Sequence, residues 1–214
     1  MGKKNIQIEK QINILEKIPM KISNFLVSFV STAKEMHLKY KNIYLYGGSI
    51  RDIIMERDIN DYDITTGFNN RETKRILNKM NLDVEKRENC PFVYTHMGDK
   101  EIQFGEKETV PVDFTINSFK FFISSKKLIG AKTAMKDLQK GIIKQHEDKS
   151  SRIFRRALYM LYKYPTFKIS SSTKKEMKKM KLNKKKIISF LKDKSMPIED
   201  FISIGREVGL KIHL

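Results

Sequence analysis

The sequence predicts an α+β domain, with a small sheet at its centre and helices at both ends, followed by a basic helical piece. Three observations lead there. Apolar residues recur at helical spacing before residue 40 and after about residue 148, short β-prone runs separated by turn residues fill the stretch between, and lysine accumulates towards the C-terminal end. The expected organisation is an N-terminal helical segment over 1–40, a central α+β unit over 41–146 and a basic helical region over 147–214.

Residues 5–18 place Ile6, Ile8, Ile12, Ile14, Leu15 and Ile18 near a 3.6-residue period, which predicts an amphipathic helix, and a second helical run covers about 22–38. The texture then changes. Ile43-Tyr44-Leu45-Tyr46 is a short β-prone run stopped by Gly47-Gly48, and Ser49 is placed to cap a helix running through Met55. Asp61 to Thr66 alternates polar and apolar residues, the pattern of a half-buried strand. Asn70 to Met80 reads as a helix with a basic outer face, and three extended pieces follow at roughly 82–88, 92–97 and 100–105. Val112 to Ile123, rich in Phe, Val, Ile and Thr, is the longest predicted extended stretch, and from about Asp148 the chain reads as helical again.

The 214 residues hold 43 Lys and Arg against 25 Asp and Glu, a formal net charge of +18, which favours a polyanionic partner, either nucleic acid or an anionic membrane surface. Lys168 to Lys194 alone contains eleven lysines against Glu176 and Asp193. The apolar stretch 22–32 is too short to span a bilayer, so a soluble, cytoplasmic chain is expected. One cysteine, Cys90, excludes an internal disulfide framework, and four scattered histidines show no metal-ligand spacing.

The most informative stretch is Tyr46-Gly47-Gly48-Ser49-Ile50-Arg51-Asp52 followed by Asn60-Asp61-Tyr62-Asp63. Residues i and i+2 of a strand share a face, so Asp61 and Asp63 present two hard oxygen donors side by side. That donor set suits Mg²⁺ that must also touch phosphate oxygens. Adjacent glycines let backbone N–H groups approach a phosphate with no Cβ in the way. Together these parts suit phosphoryl or nucleotidyl transfer.

These residues carry a family resemblance. Gly47-Gly48-Ser49-Ile50-Arg51-Asp52 with Asp61-Tyr62-Asp63-Ile64 resembles the head-domain signature of the bacterial-type tRNA CCA-adding enzyme and poly(A) polymerase family, which belongs to the polymerase-β-like nucleotidyltransferases. Asp113-Phe114-Thr115-Ile116-Asn117-Ser118, Asp137-Leu138-Gln139-Lys140-Gly141 and Arg152-Ile153-Phe154-Arg155-Arg156-Ala157 resemble three later segments of that family, in the same order. The resemblance implies a polymerase-β-like head with a small mixed or antiparallel sheet and flanking helices. It implies an Mg²⁺-dependent enzyme, with two ions during catalysis, that adds nucleotides from ATP and CTP to an RNA 3′ end, tRNA foremost. Asp61 and Asp63 would bind the metals, and Glu101 would supply a third catalytic carboxylate. Gly47, Gly48, Ser49 and Arg51 would hold the triphosphate, Asp113 and Asn117 would reach the ribose, and Arg152 and Arg155 would face phosphate or RNA. Asp52 is expected to brace the loop by pairing locally rather than to bind metal.

The sequence also departs from the family pattern. Pro111-Val112 stand where an arginine pair is expected. Glu199-Asp200 is the nearest match to the base-selecting E-D-x-x-R motif, but Ser203 occupies the arginine position and Arg206 comes three residues late. Family members continue beyond this point into a body and tail that grip tRNA, and a second copy or a partner chain is an expected candidate to take their place. The lysine-rich stretch, with Lys174, Lys175, Lys178, Lys179, Lys184, Lys185 and Lys186, is expected to supply RNA contacts. Poly(A) polymerase-like activity, nucleotidyl transfer to another acceptor, and a catalytically silent RNA-binding module remain open alternatives.

Overall fold

The computed structural model describes residues 5–7, 17–38, 43–85, 87, 90–106 and 112–212. The chain divides into two compact units, residues 1–111 with 117–132 and residues 112–116 with 133–214.

The first unit is built on a seven-stranded sheet. Its strands are β1 (Asn5–Gln7), β2 (Tyr44–Tyr46), β3 (Asp61–Thr65), β4 (Val93–Met97), β5 (Lys100–Gly105), β6 (Lys120–Phe122) and β7 (Lys127–Ala131), in the spatial order β1-β7-β6-β2-β3-β5-β4. Only β3 and β5 pair in parallel; every other neighbour is antiparallel. Residues paired across a ladder share a face, so the register sorts the sheet into two sides. One side carries Leu45, Ile64, Phe104, Val93, Phe121 and Leu128 in one row and Tyr62, Ile102 and Thr95 in the next, all buried. Helix α1 (Met20–Glu35) covers this side, and its Phe29 stacks on Phe104 at 5.2 Å between ring centroids. The other side carries Asp61, Asp63, Glu101, Gln103, Tyr46 and Lys120.

Helix α2 (Gly48–Ile54) follows β2, and α3 (Asn70–Lys79) follows β3. The start of α3 is fixed by a reciprocal pair of contacts: Asn69 Oδ1 accepts from the Glu72 N–H and Glu72 Oε2 accepts from the Asn69 N–H, both at 2.9 Å. Its apolar stripe of Ile76 and Leu77 is buried, while Arg71 and Arg75 stay exposed as the basic outer face.

Three expectations about local structure need correction. Asn5–Gln7 is a strand paired with β7 rather than the start of a helix over 5–18, and the rest of that expected helix up to residue 16 lies outside the described residues. Ile6 and Ile8 also fit a period of two, and the free edge of β7 offers backbone partners that a short helix lacks. Ser49 does not cap α2, because the helix begins one residue earlier with Gly47 as its N-cap; the Ser49 hydroxyl donates back to the Tyr46 carbonyl at 3.1 Å. Residues 112–123 are not one extended stretch: a 3-10 turn at Thr115–Asn117 interrupts them and only Lys120–Phe122 joins the sheet. Polar side chains force that break, since Asp113 Oδ1 accepts from the Phe114 N–H and the Thr115 hydroxyl donates to Asp137. Of the extended piece over 82–88, the described residues show a single bridge between Glu85 and Tyr94.

The second unit is mainly helical: α4 (Ala134–Gln139), α5 (Arg152–Lys163), α6 (Ser171–Met177), α7 (Lys184–Asp193) and α8 (Ile198–Glu207), with a two-stranded parallel ladder of β8 (Ile142–Ile143) and β9 (Lys168–Ile169). Helix α5 buries Ile153, Phe154, Ala157, Leu158 and Leu161, and α8 crosses it close enough that a Cβ on Gly205 would touch Leu158 and strike Ile212. The lysine-rich stretch is therefore folded: Met177, Ile187 and Leu191 are buried while its lysines face outward. Among the described residues, no helix is long and apolar enough to cross a membrane.

Candidate active site

Strand β2 ends in a turn that only glycine adopts without strain. Gly47 has φ of +75° and ψ of −138°, its N–H donates to the Phe119 carbonyl at 3.1 Å, and α2 starts at the next residue. Tyr46 pairs with Asp63 across the β2–β3 ladder, so this turn sits beside the second carboxylate. A Cβ built on Gly47 would lie 3.5 Å from Asp63 Oδ2. Asp61 is exposed, Asp63 half-buried, and Tyr62 between them is buried on the opposite side. The two carboxylates thus share the open side of the sheet, as their spacing predicts.

Behind the turn, three buried polar residues lock together. Arg51 donates from Nε to Asp52 Oδ1 at 2.8 Å and from Nη2 to Asp52 Oδ2 at 2.9 Å, a two-pronged pair, and from Nη1 to Asn117 Oδ1 at 2.5 Å. Both partners of the ion pair are almost fully buried, with side-chain exposures of 6% and 5%. Asp52 braces the loop as expected. Arg51 and Asn117, separated by 66 residues, are brought together.

Glu101 is the direct ladder partner of Asp61, so it stands on the same side one strand away. Its carboxylate accepts from Arg87, and Arg87 also donates to Glu85 at 2.9 Å. These two contacts, Glu85 first, hold the Arg87 guanidinium above its usual range. Arg87 further covers the Tyr94 ring at 4.1 Å. Sequence reasoning missed Arg87; no motif marks it, and its contact with Glu101 spans 14 residues. Among the described residues, no group of three or more His, Cys, Asp or Glu side chains is arranged to hold a metal ion. The donors at hand are the two hard carboxylates of Asp61 and Asp63 on an open side, and this fits a divalent ion that keeps most of its coordination for water and phosphate oxygens.

The remaining candidates lie in the second unit. Asp113 is buried and accepts from the Phe114 N–H at 2.8 Å and from Arg156 Nε. Arg156, the second arginine of Arg155-Arg156, had no predicted role. Arg152, the first residue of α5, donates to Asp148 Oδ2 at 2.7 Å, four residues earlier in the chain. Arg155 lies over the Phe190 ring at 5.5 Å, with its Nε buried and without a hydrogen-bond partner. Burial, aided by the nearby charges of Arg152 and Arg156, pulls the Arg155 guanidinium below its usual range. Lys174 and Lys175 lie on α6, Lys178 and Lys179 just after it, and Lys184, Lys185 and Lys186 open α7.

Asp148 gives this region a pH dependence. Burial pushes its carboxyl up, but contacts from Ser150 and Arg152 outweigh that and hold it below the usual carboxylate range. A carboxyl depressed in the folded state binds fewer protons than in the unfolded chain, so its stabilisation is present above about pH 4 and lost on further acidification. Asp148→Asn should therefore be less stable than wild type at neutral pH, with the gap closing below about pH 4 in urea titrations; a gap independent of pH would contradict the ion pair.

Residues 43–107 match the poly A polymerase head domain. That head segment spans the glycine turn, the carboxylate pair and Glu101. Over 82 residues the chain is 38% identical to the CCA-adding enzyme of Streptococcus pyogenes, a match covering 38% of this chain and 20% of that enzyme. The fold is that of solved CCA-adding and tRNA-processing enzymes. A CCA-adding enzyme with ATP matches at a TM-score of 0.66 and 17% identity over 97% of this chain and 52% of that one. The Thermotoga maritima CCA-adding enzyme in complex with tRNA matches at 0.65 and 18% over the same shares, and a tRNA-processing enzyme with CTP at 0.67 and 19% over 87% and 59%. The chain spans about half the length of these neighbours.

Proposed function

We propose that this protein is a nucleotidyltransferase that adds nucleotides from ATP or CTP to an RNA 3′ end, with the tRNA end the foremost acceptor. The observation that supports it best is the pair Asp61 and Asp63 on the open side of the sheet beside the Gly47 turn, inside the segment that matches a poly A polymerase head. The relatives and neighbours described above include CCA-adding enzymes and complexes with ATP, CTP and tRNA.

In this reading Asp61 and Asp63 hold Mg²⁺, and Glu101, one strand away, is the candidate third carboxylate. Mg²⁺ at that position supplies charge neutralisation for the triphosphate and acidifies the attacking hydroxyl. The chain's own part is placement. Gly47, Gly48 and Ser49 offer a backbone path close to the carboxylates for the triphosphate, and the Arg51–Asp52–Asn117 lock fixes the turn from behind. Asp113 and Asn117 are the candidate ribose contacts, and Arg152 and Arg155 the candidate contacts to phosphate or RNA. The head, taken as residues 41–146, works on the nucleotide, while the basic region over 147–214 holds RNA. Lys184, Lys185 and Lys186 occupy the first turn of α7, the positive end of a helix dipole, with no acidic residue among them. Cations there oppose the helix by roughly 0.3–1 kcal/mol each, a cost that phosphate binding offsets. Solubility and a cytoplasmic location suit this role.

The test is incorporation of each labelled NTP, with Mg²⁺, into tRNA transcripts ending before or after each nucleotide of CCA. Ordered C and A addition supports tRNA end synthesis; untemplated A addition moves the assignment to poly(A) polymerase-like activity. Pyrophosphate release without RNA lengthening points to another acceptor. RNA binding with no pyrophosphate release leaves a binding module. RNA affinity should fall steeply with salt, since each lysine–phosphate contact releases a counterion.

A further inference from the structure

Helix α5 carries a second stripe that its core packing does not use. Arg155, Tyr159 and Tyr162 stand at i, i+4 and i+7 on one side, while Ile153, Phe154, Ala157, Leu158 and Leu161 are buried on the other. Tyr159 and Tyr162 stack at 6.4 Å between centroids, and Tyr159 meets Phe190 of α7 edge-on at 5.8 Å. Arg155 lies over the Phe190 ring at 5.5 Å, extending the run of rings with a cation. Tyr162 is 38% exposed, the only large hydrophobic side chain so exposed among the described residues of this unit.

Cations border this run. By helical position Arg152, Arg156 and Lys163 flank the tyrosines on α5, and Lys186 sits one turn before Phe190 on α7. Arg152 and Arg156 are themselves paired with Asp148 and Asp113, so the border keeps a net positive charge through Arg155, Lys163 and Lys186, and rings that every base can stack on beside such a border suit single-stranded nucleic acid. The charge complementarity favours RNA as the occupant.

We propose that the Tyr159–Tyr162–Phe190 run is a stacking surface for single-stranded RNA, with Tyr162 as the outermost platform for a base and the flanking cations on its backbone. It rests on the RNA-acceptor reading given above and assigns new residues to it. It accounts for recognition of an unpaired end without sequence readout, because stacking is tolerant of base identity.

The experiment measures affinity by fluorescence anisotropy for a short single-stranded oligo(A) and for an RNA duplex with the same number of phosphates, using wild type, Tyr162→Ala and Tyr162→Phe. Tyr162→Ala should weaken single-strand binding about tenfold, Tyr162→Phe should stay within about twofold, and duplex binding should be the same for all three. Equal single-strand affinity in wild type and Tyr162→Ala, with wild type still binding RNA, overturns the stacking surface and leaves the RNA reading standing. Equal losses on single strand and duplex overturn it as well, since they report charge or folding rather than stacking. Wild type that neither binds nor extends RNA removes the acceptor reading and this surface with it. Sedimentation of the same proteins adds the remaining outcome: a wild-type dimer that Tyr162→Ala dissociates makes this face an interface between copies and overturns the proposal.

Discussion

Asp61→Ala and Asp63→Ala should each lower nucleotide incorporation on the order of a thousandfold, while RNA affinity stays within about twofold of wild type. The separation follows from where the two carboxylates stand. They share the side of the sheet opposite the buried rows of Tyr62, Ile64 and Phe104, so truncating them opens no cavity in the core. Asp61 is exposed, and its loss should change folding stability by no more than about 0.5 kcal/mol; half-buried Asp63, beside the Gly47 turn, should cost somewhat more. The lysines proposed to hold RNA lie in the other unit and keep their charge. Both carboxylates serve one bound ion cluster in this reading, so the double variant should be little worse than either single one. Single-turnover incorporation of a labelled NTP, run beside thermal unfolding and RNA anisotropy, checks all three statements. Undiminished incorporation by Asp61→Ala would remove the metal assignment.

The carboxylate pair was legible because strand periodicity is rigid: two residues apart means the same side, whatever the rest of the fold does. The glycine turn was legible for a similar reason, since Gly47 sits at a backbone angle that few other residues tolerate. Sequence reasoning failed where long-range partners decide local structure. The run at 112–123 has the composition of a strand, but Asp113 and Thr115 bond to the Phe114 N–H and to Asp137 and divert the chain into a turn. Ile6 and Ile8 satisfy both helical and extended spacing, and the open edge of β7 settles the matter for Asn5–Gln7. Strand β7, helix α4 and the β8–β9 pair went unpredicted because each is short and draws its stability from partners distant in sequence. The same limit applies to the site. Arg87 meets Glu101, and Arg156 meets Asp113, through pairings that no local spacing encodes.

Arg51→Met should cost about 3–5 kcal/mol of folding stability, because it leaves the Asp52 carboxylate buried without its arginine. A surface ion pair would be worth a fraction of that, and the burial of both partners decides the matter. The loss arises from the charge left behind more than from the bond itself. Adding Asp52→Leu removes that charge, so the double variant Arg51→Met/Asp52→Leu should be more stable than Arg51→Met alone, the reverse of what two independent losses would give. Urea unfolding of the wild type, both single variants and the double variant measures this directly; additive losses would mean that the pair is not coupled in solution. Activity should follow a different pattern. The double variant regains stability but lacks the contact from Arg51 to Asn117 that ties α2 to residue 117, so the Gly47 turn loses its brace from behind. Incorporation should therefore stay low in the double variant even where its unfolding midpoint recovers, and that split distinguishes a lock that orients the nucleotide-binding turn from one that only holds the fold together.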